Sequence, residues 1–197
     1  MITLCMDTSH QYMGVALLKE DRILDQISLS CFKKQSELLL PTVEQMLKKH
    51  FLFPMDIGQI VISRGPGSYT GVRIAMCVAK VLGAMENFPV YTISTLKLYS
   101  DNRQGMVLID ARSNRAYTGI YTDKETFEGI LTLDEVKAKQ QELQCDIYGN
   151  GTLIGKEDVF YPIGECFFHT RDFWQITENI HQLVPEYLKD QEAYKTV

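Results

Sequence analysis

The chain has 197 residues, 45% of them hydrophobic and 23% charged, a composition that builds a globular core and excludes disordered, collagen-like and low-complexity classes. Lys plus Arg number 20 against 25 Asp plus Glu, a formal net charge of -5. A chain that grips nucleic acid unaided carries the opposite sign, so an RNA role needs another subunit to hold the RNA. The five cysteines, at 5, 31, 77, 145 and 166, include no close pair. That fits neither a disulfide framework nor a zinc site and points to a reducing compartment. The first residues carry no basic region and meet Asp7 early, and the long apolar stretch 72–85 holds Arg73 and Lys80. A soluble cytoplasmic protein without a secretory signal or membrane span is the expectation.

In chain order, the β-rich runs 2–6, 13–18 and 22–29 predict two successive hairpins. Residues 35–50 place Leu39, Val43, Met46, Leu47 and His50 at helical spacing. Pro41 is expected near the first turn of that helix, since further in it removes a hydrogen bond. The apolar run 57–63 predicts a strand covered on both faces. A glycine turn, Arg64-Gly65-Pro66-Gly67-Ser68-Tyr69-Thr70-Gly71, then opens a helix reaching about Met85. A short strand at 89–93 and a helical turn at 96–99 complete the first half. The polar stretch 101–105 marks a boundary and divides the chain into 1–103 and 104–197.

Beyond it the pattern repeats. Runs 106–109, 116–122 and 126–133 predict strands, Asp134 caps a helix through 143, and 146–148 predicts another strand. A last amphipathic helix is expected over 172–184, on Phe173, Ile176, Ile180 and Val184, and it is free to pack back on the first half. The order βββαβα, written twice, predicts an α/β protein of the actin-like ATPase (ASKHA) fold, made of two ribonuclease-H-like units that hold nucleotide between them. The twin first strands even end alike, in Asp7-Thr8-Ser9 and Asp110-Ala111-Arg112.

The glycine turn lies between strand and helix, where backbone amides and a helix N-terminus suit an anion. Asp7, Ser9, Gly65, Gly67, Ser68 and Asp110 outline a candidate nucleotide or anion loop. The turn lacks the Gly-Lys-Ser/Thr ending of a Walker loop and the dinucleotide glycine spacing, so on the residues alone a tight turn that packs helix on sheet is the favoured reading. Arg112 follows Asp110 where a phosphate loop needs glycine for close approach. His10, His50, His169 and His181 have no partner four residues away and no nearby Cys, so no metal site is expected. No Gly-x-Ser-x-Gly elbow surrounds Ser9, Ser68 or Ser94, and no catalytic residue stands out.

The helix after the glycine turn is apolar nearly all round. Gly71, Ala75, Ala79 and Gly83 recur every fourth residue and give it a row of small side chains that permits close backbone approach. The helix over 35–50 is equally broad, and two such helices exceed what one sheet face covers. Either they cover each other or they form a shared interface. On the second reading Leu39, Val43, Met46, Leu47, Gly71, Val72, Ala75, Met76, Ala79 and Gly83 face a partner or a second copy in a four-helix contact.

Asp7-Thr8-Ser9, Ser36-Glu37-x-Leu39-Leu40-Pro41, Gly65-Pro66-Gly67-Ser68-Tyr69-Thr70-Gly71-Val72-Arg73-Ile74, Ser94-Thr95-Leu96 and Asp110-Ala111-Arg112 together resemble one family. It is the TsaB (YeaZ) family of bacterial accessory subunits for threonylcarbamoyladenosine formation on tRNA, matched more loosely after residue 120 through Tyr148-Gly149-Asn150-Gly151 and Pro185-Glu186-Tyr187-Leu188. The resemblance implies a non-catalytic scaffold. Its paralogue TsaD transfers threonylcarbamoyl to the adenosine beside the anticodon and keeps a metal through a His-x-x-x-His motif. The corresponding stretch here, Ser94-Thr95-Leu96-Lys97-Leu98-Tyr99, has no histidine. The resemblance further implies pairing with TsaD, or with itself when alone, and contact with the ATPase TsaE. It implies tRNA reached only through the complex and no cofactor of the chain's own, with ATP or ADP the candidate occupant of the TsaD interface. A different class of function, an autonomous ATPase or phosphotransferase of the actin and sugar-kinase kind, would set Asp7, the glycine loop and Asp110 around magnesium.

Overall fold

In the computed structural model, which describes residues 1–31 and 33–188, β1 (Ile2–Asp7), β2 (Tyr12–Lys19) and β3 (Arg22–Ser30) form two successive antiparallel hairpins. After α1 (Gln35–Lys49), β4 (Ile57–Ser63) joins the other side of β1 in parallel. α2 (Tyr69–Glu86) then returns the chain to β5 (Val90–Ile93), parallel to β4. The short α3 (Thr95–Tyr99) leads into a second sheet of β6 (Gly105–Arg112), β7 (Arg115–Tyr121) and β8 (Thr126–Thr132). There α4 (Leu133–Leu143) carries the chain over to β9 (Ile147–Gly149), parallel to β6. α5 (Ile163–His169) comes next, and the two-residue β10 (Gln175–Ile176) adds to the edge of the first sheet beside β5.

The strand orders are β10-β5-β4-β1-β2-β3 and β8-β7-β6-β9. The second repeats the β3-β2-β1-β4 order of the first, so the duplicated ribonuclease-H-like, actin-like architecture expected from the sequence is the one found. Among the described residues no helix is long and apolar enough to cross a membrane, and all five cysteines are free thiols.

Alternation along β1 sets the layers. Leu4 and Met6 point to a core shared with α1 and α2, whereas Cys5 points to a core on the opposite face. That second core includes Leu96 and Tyr99 of α3, Val107, Ile109 and Tyr117 of the second sheet, and Ile163 and Phe167 of α5, so it runs between the two sheets. α4 covers the outer face of the second sheet with Val136 against Met106, Leu108 and Ile120.

Four expectations change. α1 begins at Gln35, which places Pro41 inside the helix; the residue is exposed, where water can serve the carbonyl its missing N–H leaves free. α4 is capped by Thr132, not Asp134: Thr132 Oγ1 accepts from the Glu135 N–H at 3.3 Å and the Glu135 carboxylate accepts from the Thr132 N–H at 2.8 Å. α5 has no counterpart among the predicted elements. The helix expected over 172–184 is absent, replaced by single 3₁₀ turns at Arg171–Phe173 and Ile180–Gln182 on either side of β10. Phe173, Ile176 and Val184 are exposed and line no common face, while backbone groups of the segment bond elsewhere: Thr177 N–H to Val90 O and Glu186 N–H to Arg64 O, both at 2.8 Å. Of the second unit drawn to 197, residues 189–197 lie outside the described residues.

Candidate functional site

Asp7 ends β1 with its carboxylate inside the protein, at 1% exposure. Oδ1 accepts from the Ser9 N–H at 3.0 Å and from the Ser63 hydroxyl, and Oδ2 accepts from the Tyr99 hydroxyl at 2.5 Å. Burial, and then the neighbouring carboxylate, push the Tyr99 phenol far above its ordinary range, so it remains a donor to Asp7. The side chain that would organise a metal in an actin-like ATPase is thus held by three donors of its own chain.

The glycine turn closes over the same point. Ser68 caps α2 by accepting the Gly71 N–H at 3.2 Å, and the Ser68 N–H donates to Ser9 O at 2.8 Å. Thr8 Oγ1 donates to Gly71 O at 2.7 Å and accepts from the Ala75 N–H at 3.0 Å. A Cβ on Gly71 would collide with the Thr8 carbonyl oxygen, and one on Gly67 would lie 2.5 Å from Ser9 O. The structure therefore brings Asp7, Ser9, Gly67 and Ser68 together as the joint that seats α2 on the end of β1. Gly65 lies to one side beneath Glu186, whose backbone oxygen would stand 2.7 Å from a Cβ there.

The twin turn is built differently. Asp110 is exposed and, among the described residues, its Oδ1 accepts only the local Arg112 N–H, at 2.7 Å. Asn150, from the Tyr148-Gly149-Asn150-Gly151 motif, connects the two turns: its Oδ1 faces the Asp110 N–H at 3.2 Å and His10 Nε2 at 3.1 Å. Because that oxygen only accepts, a neutral His10 carries its proton on Nε2, leaving Nδ1 buried without a partner among the described residues. The His10 ring packs against Phe160, Tyr12 and Tyr99 with centroids 5.2, 5.7 and 6.2 Å away. Burial lowers the His10 pKa, outweighing the Asn150 bond and the charges of Asp7, Asp158 and Asp110. Between the two turns there are rings. Among the described residues, no cluster of three or more His, Cys, Asp or Glu is placed to hold a metal ion.

All ten residues expected to meet a partner are buried within the chain itself: Leu39, Val43, Met46, Leu47, Gly71, Val72, Ala75, Met76, Ala79 and Gly83. The small-residue row faces inward because Gly71 abuts Thr8, while Gly83 abuts Ile180 and Val90 at 2.5 and 2.8 Å from a Cβ position. The outward faces of the same helices carry other apolar side chains, Leu40 (52% exposed) on α1 and Val81 (55%) and Met85 (73%) on α2.

Sequence reasoning did not foresee the segment that lies over this region. Arg64 Nε donates to Glu186 Oε2 at 2.8 Å, Arg73 Nε donates to the Tyr187 hydroxyl at 2.9 Å, and the Tyr187 ring stacks on Tyr69 at 5.1 Å. Its one advance signal was the Pro185-Glu186-Tyr187-Leu188 match.

The family model for TsaD, described as tRNA N6-adenosine threonylcarbamoyltransferase, matches residues 29–145. The chain is 30% identical to the tRNA threonylcarbamoyladenosine biosynthesis protein TsaB of Bacillus subtilis, an alignment covering 98% of this chain and 96% of that protein. It is 29% identical to the protein of the same description from Escherichia coli, over 76% of this chain and 70% of that one. A crystal structure described as an uncharacterized protein with similarity to peptidase YeaZ, from Pseudomonas aeruginosa, shares the fold. It has a TM-score of 0.76 at 24% identity and covers 95% of this chain and 99% of that one.

Proposed function

The chain belongs to the TsaB family, and from that membership we propose that it serves tRNA threonylcarbamoyladenosine biosynthesis as a non-catalytic subunit that pairs with a TsaD-type threonylcarbamoyltransferase. The observation that supports a scaffold is the state of Asp7: buried, bonded by Ser9, Ser63 and Tyr99, and separated from the second turn by a cluster of rings. A magnesium-organising carboxylate must face the ligand. Here the fold keeps the shape of a nucleotide-binding protein while its first acidic turn holds α2 and α3 in place. Nucleotide, where it takes part, then enters at the interface with the partner, and tRNA is met through the complex.

The pairing surface in this reading is the outward side of α1 and α2 around Leu40, Val81 and Met85, since the inward residues already fill the chain's own core. TsaE is the third member, meeting the assembled pair. The test is light scattering after gel filtration of this chain, alone and mixed with TsaD of the same organism. A one-to-one complex that Val81→Glu dissolves, with no magnesium-dependent ATP hydrolysis by the isolated chain, is the expected result. Independent elution of the two proteins overturns the pairing. Hydrolysis abolished by Asp7→Asn overturns the non-catalytic assignment.

A further inference from the structure

A concavity of about 640 Å³ opens where α3, the connection between the sheets, the β7–β8 hairpin and residues 172–175 meet. It is separate from the two acidic turns, and its volume is in the range of sites for small organic ligands. Three cations line it, together with the carboxylates of Asp123, Glu128 and Asp172. Arg64 is paired with Glu186 at 2.8 Å and Arg103 with Asp101 at 3.1 Å. Lys97 has no carboxylate within 4 Å among the described residues: its Nζ donates to Asn102 Oδ1 at 3.0 Å and sits 3.9 Å from the Phe173 ring centroid and 4.9 Å from that of Tyr121. Of the carboxylates in the wall, Glu128 accepts the hydroxyls of Ser94 (2.7 Å) and Tyr121.

Trp174, also in the wall, has an indole N–H that is buried with no acceptor among the described residues. The half-buried Lys97 ammonium, which offers three N–H groups, spends one on Asn102 and otherwise meets ring faces and solvent. Desolvation also pulls the Lys97 ammonium below the usual lysine range, a cost that an incoming negative group offsets. The aromatic side chains around it supply the apolar surface that a small ligand's body needs.

We propose that this cleft binds a small organic anion, a flat ring bearing a carboxylate or phosphate, with the anionic group on Lys97 Nζ and the ring against Trp174 and its aromatic neighbours. Such a ligand would touch α3, the inter-sheet connection and both sheets at once. The inference is independent of the scaffold assignment and does not require the partner.

The experiment is an NMR titration of the full chain with benzoate and with phenyl phosphate, using benzyl alcohol as the uncharged control. Saturable shifts of residues lining the cleft are expected for at least one anion, with a dissociation constant below about 1 mM. Whichever anion binds more tightly identifies carboxylate or phosphate as the recognised group. Lys97→Met should weaken binding at least about tenfold and Lys97→Arg should restore most of it, because a planar cation still meets the anion. Trp174→Leu, a second variant that leaves every cation in place, should weaken binding of the ring-bearing probes. No saturable shift with either anion, unchanged affinity in Lys97→Met, or equal binding of benzyl alcohol overturns the proposal.

Discussion

Asp7 ends β1 and Asp110 lies two residues before the end of β6, its counterpart in the duplicated unit, yet one is buried under three donors and the other lies exposed with, among the described residues, one local bond. The difference comes from the elements packed around each strand end. Behind Asp7 stand Ser63 on β4 and Tyr99 on α3, whereas the second sheet ends at β9 with no equivalent fifth strand and helix among the described residues. The same turn-forming residue is a structural anchor where the unit is complete and a surface turn where it is truncated. An acidic residue at a strand end therefore reports topology first and chemistry only when its environment leaves it free.

The largest expected effect breaks this contrast directly. Asp7→Ala strands the Tyr99 and Ser63 hydroxyls in the core and should cost about 3 kcal/mol by urea denaturation, against under about 1 kcal/mol for Asp110→Ala. Equal losses would show that burial does not separate the two turns. Next comes the seat of α2. Gly71→Ala forces a methyl against the Thr8 backbone and should cost about 2 kcal/mol, while Gly83→Ala meets the movable tip of Ile180 as well as Val90 and should cost about 1 kcal/mol. Reversal of that order would mean that the C-terminal segment is held more rigidly than β1.

A smaller effect tests the link between the halves. Burial depresses the His10 pKa, so on acidification the unfolded chain takes up a proton before the folded one does. Stability should accordingly fall as pH drops below about 6.5, and His10→Gln should flatten that part of the profile. An unchanged slope in the variant would assign the pH dependence to other groups. The smallest stability change, within about 0.5 kcal/mol, is expected for Val81→Glu, because the residue already faces water. In the same variant the loss of pairing measured by light scattering should be complete.

Most of the elements were legible because period and punctuation agree locally. The strand at 57–63 came from an unbroken apolar run, and α2 from the glycine turn and the apolar helical pattern after it. The pattern over 172–184 misled because Phe173, Ile176, Ile180 and Val184 imitate a helical stripe, whereas the segment gains its bonds from the β5 edge and Arg64, more than 80 residues earlier. α5 went unseen for a related reason. Only seven residues long, it is held by burial of Ile163, Cys166 and Phe167 against β2 and β3 and by the Gly164 N–H bonded to Gln26 at 2.7 Å.

The candidate interface shows the same limit. An all-round apolar helix declares that several of its sides are covered, but composition does not say which side meets the chain's own sheet. The duplicated strand order, the two long helices, the family resemblance and the glycine turn are readable from the residues, since each is written in local pattern or an unbroken motif. Packing alone settles that Asp7 is an anchor, that Ala75 and Ala79 face inward while Leu40 and Val81 face out, and that Lys97 and Trp174 line one concavity. Those facts depend on contacts between residues far apart in the chain, whose geometry exists only once both sheets are packed.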